Sequence, residues 1–233
     1  MLLNFTRLHL RKGTEIVISI KVDLTLKSPL HIGASAPAGT TAVRGLLKDA
    51  QGWPYIPASA FKGRLRHMVE RLSKSMERSA CDTHHQTCES AHSACPVCQI
   101  FGSPWLTGSV RFCDLTLTQP EIWDTAYRRE NPYPRTGYRH GVGISRTRRV
   151  AQDALLYTTE LFQPGVPLVF SGTLQDIETL EDAAWLYAGL QFMESIGSNR
   201  TRGLGWIESR IQVIQDDVVI GPEQLRQTLE GSL

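Results

Sequence analysis

The most chemically distinctive segment of the sequence is rich in cysteine. Four of the five cysteines lie within 18 residues, at Cys81, Cys88, Cys95 and Cys98. The last two form a CxxC turn, whose thiolates can each reach one ion at about 2.3 Å. The first two precede that turn at equal spacing, so a loop can bring them to the same ion. This pattern predicts a structural Zn²⁺ site, in which one of three nearby histidines could replace a cysteine: His84, His85 or His92.

Two enzymatic interpretations of the cysteine segment lack a required feature. A zinc deaminase has His-x-Glu upstream of Pro-Cys-x-x-Cys, with the Glu as general acid and base. Two positions after His84 the sequence has Gln86, and two positions after His92 it has Ala94. A thioredoxin-like CxxC opens a helix directly after a strand and needs no further cysteines. The protein is also expected to be cytoplasmic, and disulfides are disfavoured in that reducing compartment. A structural metal site is therefore the favoured interpretation of the four cysteines.

Basic residues are concentrated in three segments, although the net charge is only +2. The stretch 128–149 has seven Arg against one Glu, and 62–78 has six Lys or Arg against two Glu. A third basic group surrounds Arg200. Any one such run is ordinarily a solvated face, but three of them together favour a polyanionic partner.

The third basic group belongs to a glycine-rich turn, 197–206 (GSNRTRGLGW). It follows a predicted helix and precedes a predicted strand, whereas nucleotide-binding Rossmann loops and P-loops have the opposite order. The Gly-Lys-Ser/Thr of a P-loop is also absent. Glycines let backbone amides approach phosphates closely, and Arg200 and Arg202 add positive charge, so the turn is a candidate phosphate-binding site. The alternative interpretation is a simple connection between helix and strand whose arginines are solvated.

Hydrophobic periodicity predicts four core strands and three helices. The predicted strands are Glu15–Lys27, Ser109–Thr118, Val166–Leu174 and Trp206–Ile214. One helix is expected from an N-cap at Ser59, a second from Thr179 to an end at Gly197, and a short third from Pro222. A hairpin is expected from Gly141–Val150 and Ala154–Phe162 around a turn at 152–153, and 33–52 is expected to be a long loop.

This order of elements predicts an α+β fold with a ferredoxin-like, RRM-like βαββαβ core. We expect one domain over 1–233, with a zinc-binding insert over 79–104 and a hairpin insert over 119–165. The composition, with 41% hydrophobic and 21% charged residues, is that of a globular protein. No apolar run approaches the roughly 20 residues of a membrane span, and Arg7 interrupts the N-terminal apolar stretch, so a cytoplasmic location without membrane contact is expected.

Four segments of the chain together resemble the RAMP superfamily. They are 30–33 (LHIG), 53–66 (WPYIPASAFKGRLR), 95–102 (CPVCQIFG) and 202–205 (RGLG). Each motif is short, but their order and spacing are specific, and the resemblance spans nearly the whole chain. Within the superfamily the chain is most similar to the repeating backbone subunits of type III CRISPR effector complexes, of the Csm and Cmr kind.

The resemblance implies a subunit that binds guide RNA and recognises target RNA. Its partners would be a CRISPR guide RNA, target RNA, other effector subunits and copies of a similar backbone subunit. The hairpin would be a thumb inserted between guide and target, and the zinc would be held in an insert after the first helix. The implied RNA contacts are His31, Ser59, Lys62, Arg66, Arg146, Arg148, Arg149, Arg200 and Arg202.

One departure from the family concerns catalysis. In the members that cut target RNA, the resemblance implies an Asp in the loop after LHIG, at a position that falls near Val43, yet the stretch 33–48 contains no Asp or Glu. Asp49 matches a turn-forming Asp of the family. Without a group that can hold a proton or a cation, we expect no cleavage by this subunit. Two alternatives remain: an active endoribonuclease that uses Asp49 or His31, and a free-standing zinc-stabilised RNA-binding protein.

Overall fold

The structure, a computed structural model, describes residues 18–35, 44–78, 80–81, 87–90, 94–120, 136–162 and 168–231. The strands are β1 (Ile18–Leu26), β2 (Gly33–Ser35), β3 (Arg44–Leu46), β4 (Arg111–Phe112), β5 (Thr116–Leu117), β6 (Gly137–Ile144), β7 (Ala151–Leu161), β8 (Leu168–Ile177), β9 (Ile207–Gln215) and β10 (Val218–Ile220). The helices are α1 (Ala58–Ser75), α2 (Pro96–Phe101), α3 (Leu180–Gln191) and α4 (Pro222–Gly231), with a 3₁₀ turn at Arg200–Arg202. No described helix is both long and apolar enough to cross a membrane.

The main sheet is antiparallel and runs in the order β10-β9-β1-β8-β4, with β5 also paired to β8. When β4 and β5 count as one interrupted strand, the four core strands lie in the order fourth, first, third, second. This mixed α+β arrangement is consistent with the predicted ferredoxin-like core.

The apolar alternation that predicts β1 places its side chains on two faces. Ile20, Val22 and Leu24 are buried against the helices, whereas Lys21 and Asp23 lie on the other face. That other face carries no aromatic side chain on β1, β8 or β9, all three of which are fully described. RRM modules stack bases on aromatic residues of their sheet, so this sheet is unsuited to that mode of RNA binding.

Helices α1 and α3 pack side by side on the buried face. Helix α1 contributes Phe61, Leu65 and Val69, each of which gains about 1.5–3 kcal/mol from burial. Gly189 on α3 allows the close approach, because a Cβ atom there would lie 2.7 Å from a methyl group of Val69. The capping prediction for α3 is confirmed, since the Thr179 hydroxyl accepts a hydrogen bond from the Asp182 amide at 3.0 Å.

A second sheet, in the order β2-β3-β7-β6, contains the hairpin. Strands β6 and β7 are antiparallel, and their paired residues run from Gly137 with Leu161 to Ile144 with Ala151. Strand β3 pairs with β7 in parallel, through Arg44 and Thr159. Leu30 and Phe162 form a bridge between the segment after β1 and the end of β7. The stretch 33–52, expected to be a loop, therefore contributes two short strands.

Several predicted boundaries are wrong for identifiable reasons. The predicted strand Ser109–Thr118 is divided into β4 and β5. Ser59 lies inside α1, and the carboxylate of Asp114 accepts the Ala58 amide at 2.7 Å instead. Helix α3 ends at Gln191, well before Gly197. The hairpin turns at 145–150, where the Ser145 amide bonds the Val150 carbonyl, and 152–153 lies inside β7.

Candidate metal centre and nucleic-acid interface

The four cysteines of the predicted zinc site converge in the structure. The sulfur atoms of Cys81, Cys88, Cys95 and Cys98 all lie within 4.8 Å of one another. The sulfurs of Cys81 and Cys88 are 3.3 Å apart, and the Cys95 amide donates to the Cys88 sulfur at 3.3 Å. Four thiolates about 2.3 Å from one ion in a tetrahedron would be about 3.8 Å apart, so the donor set fits Zn²⁺.

Local structure explains how the CxxC turn offers both of its sulfurs. Cys95 is the N-cap of α2, Pro96 occupies the first helical position, and Cys98 lies in the first turn. Both sulfurs are buried, while Cys81 and Cys88 are half-buried. The turn does open a helix, as in thioredoxin, but it lies against two further cysteines. His84, His85 and His92 lie outside the described residues, so their part in the site stays a prediction.

The thiol pKa values reflect this crowding. Burial raises the pKa of the Cys81 and Cys98 thiols. Burial acts in the same direction on Cys95, but backbone hydrogen bonds from Cys81 and Cys98 outweigh it and lower the Cys95 pKa. Four thiolates this close together repel one another, and a divalent metal ion between them would supply the compensating charge.

A cavity of about 410 Å³ separates α1 from the glycine-rich turn. Gly63, Arg64 and His67 line it from α1, and Gly197 and Arg200 line it from the turn. Arg64 is anchored by a hydrogen bond from its Nε to the Ser195 carbonyl at 3.0 Å. Two arginines thus approach one cavity from elements that are far apart in the sequence.

The charge in this cavity is poorly balanced by protein groups. Burial and the neighbouring Arg200 and Arg71 lower the pKa of Arg64 to about 10, and Glu194 only partly opposes them. A guanidinium whose charge is disfavoured in this way favours an anion nearby. Sequence patterns did not single out Arg64, although it lies within the basic stretch 62–78. Only tertiary contact with the glycine-rich turn distinguishes it from its neighbours.

Beyond Arg200 the turn meets the base of the hairpin. Arg202 donates to the Tyr157 hydroxyl at 3.0 Å, and Arg139 donates to the Arg202 carbonyl at 3.2 Å. The Arg44 guanidinium lies over the Tyr157 ring, 4.9 Å from its centre. Here a second cavity of about 330 Å³ continues the cationic surface from the turn onto β6 and β7. Besides Arg200, the predicted RNA contacts include Arg202 but not Arg44, Arg139 or Tyr157.

The hairpin ends in a cationic tip with exposed apolar flanks. Arg146, Arg148 and Arg149 are all exposed in the turn between β6 and β7. Val142 and Leu156 form an exposed cross-strand pair below that turn, 47% and 71% accessible. The structure therefore groups the three predicted arginines in one exposed turn of the hairpin.

Ser59, Lys62 and Arg66 lie on the opposite flank of α1 from the Arg64 cavity. Lys62 and Arg66 line a separate cavity of about 530 Å³, and the Lys62 ammonium lies 5.5 Å from the centre of the Phe112 ring. Arg66 pairs with Glu70 at 3.0 Å and donates to the Gly102 carbonyl at 2.8 Å. The predicted RNA contacts of α1 are thus separated from Arg200 by the helix itself.

A single family model covers most of these features. The family model of the RAMP superfamily matches residues 23–208, which include α1, the cysteine cluster, the hairpin, β8 and the glycine-rich turn. The chain belongs to the RAMP superfamily. No curated protein matches the sequence of this RAMP protein.

His31 and Asp49, the two alternative catalytic groups, both have structural contacts in this RAMP protein. His31 is only 3% exposed, and its Nδ1 lies 2.8 Å from the Glu160 carbonyl. Asp49 accepts the amides of Gln51 and Trp53 at 3.0 and 2.8 Å, as a turn-forming Asp does. Val43 lies outside the described residues.

One buried carboxylate does reach the segment after β2, from a distant strand. Glu160 on β7 accepts the Leu46 amide at 2.9 Å, the Lys48 ammonium at 2.6 Å and the Thr136 hydroxyl at 2.9 Å. Burial acts to raise the Glu160 pKa, but these hydrogen bonds outweigh it and hold the pKa below its ordinary value. With three donors on two oxygens, this carboxylate is engaged in structure and fixes β3 to the hairpin.

Proposed function

We propose that this RAMP protein is a guide-RNA-binding backbone subunit of a type III CRISPR ribonucleoprotein. The superfamily is associated with CRISPR RNA–protein complexes of this type. The main observation in support is the convergence of Arg64 and Arg200 on one cavity, together with a second cavity that Arg202 and the hairpin base line. Phosphate is the anion that suits such a row of arginines, because each guanidinium can donate two parallel hydrogen bonds to it.

In this proposal the guide strand follows the glycine-rich turn, and the hairpin acts as the thumb between guide and target. The exposed apolar pair Val142 and Leu156 can pack against bases, while the three arginines of the tip contact phosphates. The chain forms one domain, with the zinc insert over 79–104 and the thumb within 119–165. Zn²⁺ would be held by Cys81, Cys88, Cys95 and Cys98, where it supplies a structural cross-link.

Co-purification of RNA tests the proposal directly. RNA extracted from the protein purified from its native cells should be CRISPR guide RNA, identified by sequencing. In reconstitution, the bound RNA length should rise in fixed steps as copies of the subunit are added, because each filament subunit covers one constant site. A free-standing RNA binder would show neither guide enrichment nor a stepwise site size, and that result would overturn the proposal.

Recognition without cleavage by this subunit completes the proposal. The stretch 33–48 lacks a carboxylate, and Asp49 is held in a turn. The Glu160 carboxylate is already hydrogen-bonded by three donors. Target RNA paired with the guide should therefore remain intact when this subunit is the one facing it.

A further inference from the structure

The four cysteines of the metal cluster differ in their access to solvent. Cys95 and Cys98 are 5% and 0% exposed and belong to the hydrophobic core. Cys81 and Cys88 are only half-buried, and the two residues that follow Cys88 are exposed. A small molecule dissolved in water therefore reaches the cluster from the side of Cys81 and Cys88.

The two accessible cysteines also lie close enough to be joined. Their sulfurs are 3.3 Å apart. A disulfide brings two sulfurs to about 2.05 Å, so Cys81 and Cys88 have to approach each other by little more than about 1 Å. Oxidation of this pair needs only a small local movement.

The CxxC turn is the competing pair, because thioredoxin-like proteins form a disulfide at this spacing. In this protein Cys95 is the N-cap of α2 and Cys98 lies in its first turn. Both residues are buried, so an oxidant reaches them only after the insert has opened. Burial thus distinguishes the two pairs where spacing does not.

Metal binding leaves the sulfurs in their reactive form. A cysteine that ligates a divalent metal is deprotonated. The thiolate is the nucleophilic form of cysteine, and peroxides oxidise exposed thiolates first. The half-buried cysteines of a zinc-loaded cluster therefore combine thiolate character with exposure.

We propose that Cys81 and Cys88 are a peroxide-sensitive pair, whose oxidation to a disulfide removes two of the four metal ligands. One thiolate attacks an oxygen of hydrogen peroxide, the O–O bond breaks, and the departing hydroxide takes up a proton and leaves as water. The sulfur is then a sulfenic acid. The second thiolate attacks that sulfur, the S–S bond forms, and a second hydroxide takes up a proton. Two electrons pass from the sulfurs to the peroxide.

The same step disturbs the contacts that position α2. The Cys95 amide, at the start of α2, donates to the Cys88 sulfur at 3.3 Å. The Ser103 hydroxyl, beyond the end of α2, donates to the Cys88 carbonyl at 2.9 Å. A shift of Cys88 towards Cys81 therefore weakens the attachment of α2 at both ends. Only Cys95 and Cys98 remain for the metal, so the oxidised insert is both metal-poor and less stable.

Titration of the purified protein with hydrogen peroxide tests the pair. One zinc should be released for each peroxide consumed, as measured with a chromogenic chelator. One equivalent of peroxide should lower the free thiols, counted after unfolding, from five to three. Peptide mapping after alkylation should find Cys81 linked to Cys88, with Cys95, Cys98 and Cys113 still free. A dithiol reductant with added zinc should restore all five thiols and the metal.

Two further measurements sharpen the result. Dimedone traps sulfenic acids and should label Cys81 or Cys88 in the unmodified protein during oxidation. Cys113→Ser is the matched control, because Cys113 lies outside the cluster; its thiols should fall from four to two with zinc release unchanged. A disulfide mapped to Cys95 and Cys98, or dimedone confined to Cys113, would overturn the proposal.

The zinc content of the untreated protein is measured first. A value near zero would overturn both the metal site and this proposal. Zinc-loaded protein that keeps all five thiols in about tenfold excess peroxide would overturn this proposal alone. RNA enters neither measurement, so the proposed RNA-binding function is tested separately.

Discussion

Gly205 lies so close to Ile196 that no side chain fits between them: a Cβ atom at Gly205 would be 1.9 Å from the Ile196 carbonyl oxygen. The Ile196 amide donates to the Gly205 carbonyl at 2.8 Å, and the Gly205 amide donates to the Pro29 carbonyl at 2.8 Å. The two ends of the glycine-rich turn are thus clamped together, and this clamp sets the position of Arg200.

This clamp makes Gly205→Ala a severe substitution. Gly205 has a φ of 71° and Gly203 a φ of 84°, but a Cβ atom at Gly203 would have no neighbour within 4 Å. Gly203→Ala should therefore lower the free energy of unfolding only by the cost of placing a non-glycine residue in the left-handed region, about 1–2 kcal/mol. Gly205→Ala adds a clash with backbone and should cost about 4 kcal/mol or more. Urea unfolding measures both, and equal losses for the two variants would contradict the clamp.

Loss of one cysteine should release the metal. Cys95→Ser removes one of four converging sulfurs, so zinc content should fall from one per chain and the protein should unfold at a lower temperature. Cys113→Ser is the matched control, because Cys113 lies between β4 and β5, outside the cluster. Metal analysis by mass spectrometry decides the outcome. Zinc well below one per chain in the unmodified protein would exclude the site.

Substitution of Arg64 tests the main phosphate contact. Arg64→Ala should weaken RNA binding about tenfold at low salt, equally for different sequences, because it removes a charge-assisted hydrogen bond. Arg200→Ala, from the other side of the cavity, should act in the same way. Arg226→Ala removes an exposed arginine that pairs with Glu230 on α4, and should leave the RNA affinity unchanged. Fluorescence anisotropy over a salt series measures all three variants.

The parts of the fold set by local pattern were predictable from the sequence. The alternation of Ile20, Val22 and Leu24 predicts β1, and Thr179 with Asp182 predicts the start of α3. The close spacing of the cysteines likewise predicts that their sulfurs meet. Short strands such as β2 have too few residues for any periodicity, and their Gly and Ala favour loops when taken alone.

The cationic surface was harder to predict, because it is assembled from distant segments. Arg64 and Arg66 lie on different flanks of α1. Only the packing of the glycine-rich turn against one flank makes Arg64 part of a cavity with Arg200. Glu160 bonds the Leu46 amide from 114 residues away. Nothing in the local sequence of either residue specifies such a pairing.

The Glu160 network should make stability depend on pH. Because the folded-state pKa of Glu160 lies below its unfolded value, the unfolded chain takes up the proton first as the pH falls. Its contribution is therefore present at neutral pH and is lost as the pH falls through the folded-state pKa. Glu160→Gln should cost about 1.5–3 kcal/mol at neutral pH, and the difference from the unmodified protein should shrink in acid. A difference independent of pH would contradict this.

The resemblance implies that members of the family with the loop Asp cut target RNA, whereas we predict no cleavage by this subunit. A reconstituted complex with guide, complementary RNA and a divalent cation should bind the target and leave it intact at the position facing this subunit. Radiolabelled target resolved on a sequencing gel measures this directly. If the target is cut there, Asp49→Ala and His31→Ala identify the group responsible. Loss of cutting in either variant, with guide binding kept, would place this protein among the endoribonucleases.

Val43→Asp tests the same prediction by gain of function, because an acid at that position should introduce cutting where the surrounding geometry allows it.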